Sequence, residues 1–248
     1  MKRSDNNREQ ELVGLSRLLE GTSDGRNPHL DSDMGASRYI DNANTIKSCL
    51  PSGKIFDWGC GLGQMTYFLK NRGFDVVSYD VDQGGRDFLA GIGQTLILAT
   101  DPIKLPFADS SFDAVLSSGV LEHVPDPAAS LKEVARITKK DGYFFVFRLP
   151  NKYSYIEFIS DIIGRGDHQV KYTKPEIVKL LKENGYEIVS LNYQGFLPYN
   201  LKGFPGFIRM GYHWLDPWWQ KIDQLLSALP MINKLSTNIE LVARKIRK

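Results

Sequence analysis

The chain has 248 residues, 42% of them hydrophobic and 24% charged, with a net charge of +2. That size and balance suit one sizeable packed domain with appendages, and the near-neutral charge disfavours a nucleic-acid partner. Cys49 and Cys60 are too few for a disulfide framework, no Cys/His cluster has zinc spacing, and no apolar run reaches the ~18 residues that span a bilayer.

The opening "MKRSDNNREQ" is polar where a secretory signal needs an apolar stretch, so the reading is a cytoplasmic chain. Residues 1–9 read as a disordered tail. Residues 10–20 read as a helix with Leu12, Leu15 and Leu19 on one face and Gly21 as its stop, followed by a loop over 22–34. Ser37 is placed to cap a second helix that presents Ile40, Ala43 and Ile46 and ends before Pro51. Strands and helices then alternate. "KIFDW" reads as a strand, "GQMTYFLKNRG" as a helix, "FDVVSYD" as a strand, "DQGGRDFLAG" as a short helix, and "TLILAT" and "FDAVLSSG" as strands. Asp126 and Pro127 open a helix that stops near Gly142, ahead of the strand "YFFVFRL". Thr173 and Glu176 form a capping box on the next helix, and "YEIVSLNY" and "NIELVAR" complete seven strands.

This pattern predicts an α/β fold: a doubly wound, seven-stranded, mostly parallel Rossmann-like sheet. The last two strands lack a single crossover helix between them, so one is expected to run antiparallel. The expected organisation is an N-terminal tail and cap helices over 1–50, a core over 51–194, a helical aromatic-rich insert over 195–236, and the last strand with a basic tail over 237–248.

Ligands in such sheets bind beyond the carboxyl ends of the strands, at the switch point after the first. "DWGCGLGQ" falls there, with Gly59, Gly61 and Gly63 at alternate positions. A dinucleotide fingerprint would put its third glycine where Gln64 stands, so the NAD reading is imperfect. Asp57, Asp80 and Asp101 fall at or just past the ends of three successive strands.

The runs "IFDWGCGLGQMTYFL", "VVSYDVD" and "LPFADSSFDAVLSSGVLEHVPDPAASLKEVARITKKDGYFFV" resemble the class I S-adenosylmethionine-dependent methyltransferases, and the type 11 group in particular. The resemblance covers about residues 54–194 and the final strand. It implies S-adenosyl-L-methionine as cofactor and a transferase activity. Gly59, Gly61 and Gly63 would let the backbone lie against the cofactor, where a Cβ would clash. Asp57 would face its ammonium and Asp80 would hold its ribose diol. Asp101 would accept from the adenine amino group, with Val81 and Pro102 flanking the base. Ser117, Ser118 and Gly119 would lie beneath the methyl.

Methyl transfer from a sulfonium needs alignment and dryness more than catalytic side chains. Two histidines are candidate bases: His123 in "SSGVLEHVPDP" and His168 beside Asp167; His29 and His213 rank lower. Arg38 and Tyr39 are placed to close over the methionyl end. The insert holds Phe196, Tyr199, Phe204, Phe207, Tyr212, Trp214, Trp218 and Trp219, and residues 195–248 carry eight Lys/Arg against three Asp/Glu. It reads as an acceptor lid with a peripheral membrane contact over 196–235. The stretches "RLPNKYSYIE" and "GRGDHQVKYT" resemble sugar-pathway enzymes, and that resemblance implies a small-molecule or lipid-linked hydroxyl as acceptor, as on a glycan intermediate. Carbon or oxygen methylation of a quinone-like ring is the alternative, and a non-catalytic cofactor-binding protein of the same fold is the rival.

Overall fold

A computed structural model describes residues 33–162, 164, 168, 170–198 and 206–246. The expectations for residues 1–32, Asp167, Tyr199, Phe204 and the last two basic residues lie outside these.

Helix α1 (Asp33–Cys49) precedes the sheet. Then come β1 (Lys54–Trp58), α2 (Gln64–Asn71), β2 (Asp75–Asp80), α3 (Arg86–Gly91), β3 (Leu96–Leu98) and β4 (Phe112–Ser118). Next are α4 (Pro127–Ile137), β5 (Thr138–Pro150), α5 (Tyr155–Ile162), α6 (Lys174–Glu183) and β6 (Tyr186–Gln194). The chain closes with α7 (Gly206–Trp214), α8 (Asp216–Ala228), a 3-10 turn (Ile232–Leu235) and β7 (Asn238–Lys245). The strands make one sheet in the order β3-β2-β1-β4-β5-β7-β6. The first five pair in parallel, and β7 runs antiparallel to both of its neighbours. A strand that arrives from α8 rather than over a crossover helix enters from the opposite end.

Alternate residues along each central strand feed two separate layers. Phe56, Val115, Phe144 and Val146 face α4 and α6, packing with Leu131, Val134, Ile177 and Leu181. Ile55, Ala114, Leu116 and Phe145 face the other way, onto Phe68 and Leu69 of α2 and Ile40, Ala43 and Ile46 of α1. Both layers are dry, so the register of the sheet is fixed from two sides.

The capping predictions hold at α4 and α6. Asp126 accepts from the Ala129 N–H at 3.0 Å with Pro127 behind it, and Thr173 and Glu176 make both halves of a capping box. Ser37 is a correction: α1 starts at Asp33, so Ser37 is a buried residue inside the helix and not its cap. A second boundary also moves. α4 ends at Ile137, and β5 begins at once with Thr138, whose hydroxyl donates back to the Val134 carbonyl at 2.6 Å. β-branched Thr138 pairs with Phe112 ahead of a register shift that leaves the extra residues on β5, and tertiary pairing overrides the helical pattern there.

Candidate functional site

β1 and β4 are adjacent, yet the chain leaves them to opposite sides of the sheet: β2 follows on one side and β5 on the other. At that switch point, beyond their carboxyl ends, lies a cleft of about 700 Å³. The glycine loop forms its floor. The N–H groups of Gly59 and Cys60 both donate to the Tyr79 carbonyl, at 2.8 and 3.0 Å, which folds the loop over the end of β2. The Gly61 N–H donates to Asp80 Oδ2 at 2.7 Å. Burial, reinforced by the nearby Asp57 and Asp80 carboxylates, pushes the Cys60 thiol above its usual range.

The three glycines differ. Gly59 has φ +69°, and a Cβ on it would lie 2.4 Å from Val120 Cγ2. Gly61 has φ +54° and open space where its Cβ would be. Gly63 has φ +92°, and its Cβ would strike Leu89 Cδ2 at 2.5 Å; it is off the cleft wall and serves the packing of α2 on α3.

The remaining expected cofactor residues converge. Asp57, Asp80, Val81, Asp101, Pro102 and Ser118 all stand on the wall. Asp57 is 1% exposed, accepts from the Thr66 hydroxyl at 2.7 Å, and has its pKa pushed up to about 7 by burial, with the Asp80 charge adding to the effect. A buried carboxyl in that state favours a cationic neighbour. Asp101 accepts two backbone N–H groups, from Ile103 and Lys104, and these hold its carboxyl below the ordinary range. Ser117 is buried and off the wall, while Gly119 is on it.

Sequence reasoning missed four residues. Gln64, 4% exposed, keeps its Nε2 without a hydrogen-bond partner on the wall, and so does the Tyr79 hydroxyl. Both are buried groups that a polar ligand would satisfy. Gly85 allows the next turn to approach, since a Cβ there would sit 2.2 Å from the Gly61 carbonyl. Arg148 stands on the wall in left-handed backbone, φ +59°, and donates to the Tyr39 hydroxyl at 2.6 Å. Only the glutamine was visible as the residue that breaks the dinucleotide pattern; left-handed arginine backbone leaves no mark in a sequence. Tyr39 is on the wall as expected. Arg38 is a correction: it turns away and ion-pairs with the buried Asp223 of α8.

His123 lines the cleft. His168 does not, but its ring centroid is 5.7 Å from that of His123, and its Nδ1 lies 3.1 Å from Glu157. Burial opposes ionisation of Glu157, yet the His168 hydrogen bond and the His168 and Lys171 charges hold its carboxyl below the usual range. Glu122, 3% exposed, has its carboxyl pushed up to about 7 by burial and leaves Oε2 without a hydrogen-bond partner. Ligand atoms of Glu122, His123 and His168 lie within 4.8 Å of one another. Sequence spacing gave no sign of this group, because the fold brings His168 back to Glu122 and His123 over the intervening chain 124–167.

Among the described residues, none of 195–236 is on the cleft wall. The insert reaches the cleft indirectly, through Asp223 on α1. Trp219 stacks on Tyr212 at 5.4 Å and donates its indole N–H to the Tyr212 carbonyl, so it is an internal contact. No helix among the described residues is long and apolar enough to cross a membrane.

Residues 56–146 match the family model of a methyltransferase domain. The demethylmenaquinone methyltransferase of Clavibacter sepedonicus is 31% identical over 153 residues, 58% of this chain and 59% of the relative. The ubiquinone biosynthesis O-methyltransferase of Thiobacillus denitrificans is 29% identical over 178 residues, 65% of this chain and 74% of the relative. The chain spans about half the length of several of the curated relatives it matches. The 1,6-didemethyltoxoflavin-N1-methyltransferase of Burkholderia thailandensis, solved with its acceptor and S-adenosylhomocysteine, shares the fold at a TM-score of 0.59 and 16% identity, over 96% of this chain and 90% of that one. Strand order and overall fold are shared with solved S-adenosylmethionine-dependent methyltransferases, and the glycine loop and switch-point cleft lie where that fold puts its cofactor site. Within the chain, residues 56–146 are similar to the type 11 methyltransferase domain.

Proposed function

We propose that the protein transfers a methyl group from S-adenosylmethionine to a hydroxyl of a small, lipid-linked acceptor. The observation that carries the cofactor reading is the set of unsatisfied or poised groups on one wall. Gln64 Nε2 and the Tyr79 hydroxyl lack partners, buried Asp57 awaits a cation, and Gly61 leaves open space for a ligand. A nucleoside bearing an ammonium and a carboxylate fits that set.

When bound, the cofactor supplies an electrophilic methyl on a sulfonium. The chain's part is to hold the pieces in line and keep water out, a contribution of roughly 7–11 kcal/mol when geometry is good. Asp57 would hold the ammonium, Asp80 the ribose, and Asp101, Val81 and Pro102 the base. Ser118 and Gly119 would border the reacting methyl. The acceptor's proton would leave toward the imidazoles of His123, on the wall, and His168, held by Glu157.

The lipid-linked part of the reading rests on exposed apolar stripes. Phe207, Met210 and Trp214 share one face of α7, and Trp218, Ile222, Leu225 and Leu229 share one face of α8 and its end. Trp214 is 83% exposed and Trp218 65%. Lys221 lies over the Trp218 ring at 5.4 Å. Aromatic and basic residues on an outward apolar face suit the interface of an anionic bilayer.

Purified protein, labelled methyl cofactor and a lipid extract test the activity. Label should appear in an organic-soluble product. Label confined to the cofactor, with extracts of several sources, would count against turnover.

A further inference from the structure

We propose that Glu122, His123 and His168 form a binding site for a first-row transition-metal dication. Two imidazoles and a carboxylate offer ligand atoms within 4.8 Å of one another. Bond lengths of about 2.0–2.2 Å separate tetrahedral ligand atoms by roughly 3.5 Å, so small side-chain rotations close the shell. The donor set favours zinc, iron or cobalt over magnesium or calcium, which prefer all-oxygen shells.

Two further observations point to a ligand. Glu122 is 3% exposed, and its Oε2 has no hydrogen-bond partner, a costly state that a cation would relieve. Glu157 holds His168 at Nδ1, at 3.1 Å, and so orients the imidazole beside Glu122 and His123. A carboxylate behind a histidine is the usual support of a ligating imidazole. Glu157 is itself braced by Lys171 at 3.3 Å.

Because His123 lies on the cleft wall, the site borders the place where an acceptor would sit. Three protein ligands leave a coordination position open. An acceptor hydroxyl entering it would lose its proton to solvent as the metal–oxygen bond forms, at lower pH than in water. His123 and His168 would then serve as ligands rather than as free bases. Cation binding itself does not depend on the methyl-transfer reading.

The test is titration of chelator-treated, full-length protein with Co²⁺, followed by visible absorption, and with Zn²⁺ in competition dialysis. One equivalent per chain is expected, with ligand-field bands in the visible. His168→Ala and Glu122→Gln should each weaken binding about 100-fold or more, and Glu157→Gln about 10- to 100-fold. His168→Ala should keep the S-adenosylhomocysteine affinity, since His168 is off the cleft wall, which shows that the variant is folded. Absence of stoichiometric uptake by the parent overturns the site. So does undiminished uptake by folded His168→Ala, even if Glu122→Gln fails to fold.

Discussion

Gly59, Gly61 and Gly63 look alike in the sequence, and the structure gives each a different constraint. Ala at 59 meets Val120 at 2.4 Å as well as left-handed strain, so Gly59→Ala should lose about 2–4 kcal/mol of stability. Ala at 61 meets only the strain, about 1–2 kcal/mol, but fills space beside the cleft. Gly61→Ala should therefore melt close to the parent while binding S-adenosylhomocysteine at least tenfold more weakly. Thermal unfolding and calorimetry on the same two variants separate the cases, and equal ligand affinity for Gly61→Ala and parent would remove the loop from the binding site. Asp57 gives a pH signature. Its folded pKa of about 7 lies above the ordinary 3.8, so near pH 6 the carboxyl is mostly protonated, and pairing with an ammonium must release that proton. Affinity should rise with pH between about 6 and 8, with proton release seen as a buffer-dependent enthalpy at pH 6.5. A flat profile would separate Asp57 from the ammonium. The acids and glycines were legible because their spacing tracks strand ends. Arg148, Gln64 and Tyr79 were not, because their roles depend on burial and backbone hand.

At the scale of elements, the parallel strands, the helices capped by Asp126 and Thr173, and an antiparallel strand among the last two were readable from period, capping chemistry and the missing crossover helix. The start of β5 was not, since Thr138 belongs to a strand only by pairing with Phe112 ahead of a register shift. The link between α1 and α8 was also invisible, being a pair 185 residues apart. Asp223 is fully buried, accepts from the Leu197 N–H at 2.7 Å, and has its pKa raised by burial despite the Arg38 charge. Arg38→Ala strips the cation from a buried carboxylate and should cost about 3 kcal/mol. The double variant Arg38→Met/Asp223→Leu should recover much of that loss. Thermal melts of both decide it: a single variant as stable as the parent would make the pair a bystander to how α8 braces the cleft helix.

For the molecule as a whole, the cleft and the outward apolar face of α7 and α8 are separate surfaces, with none of the described residues of 195–236 on the cleft wall. If α7 and α8 meet a bilayer, the protein should co-sediment with anionic vesicles at low salt and release at high salt. Trp214→Ala/Trp218→Ala should abolish sedimentation without changing cofactor affinity. No sedimentation at low salt, or a concentration-dependent dimer lost in the same variant, would assign that face to a second copy instead. The cleft carries the central claim, and calorimetric titration of the full chain with S-adenosylhomocysteine and with NAD tests it most directly. One site of low-micromolar affinity for S-adenosylhomocysteine is expected, none for NAD, and a loss of roughly 1–3 kcal/mol in Asp80→Ala. Failure to bind S-adenosylhomocysteine, or equal affinity in Asp80→Ala and the parent, would contradict the account.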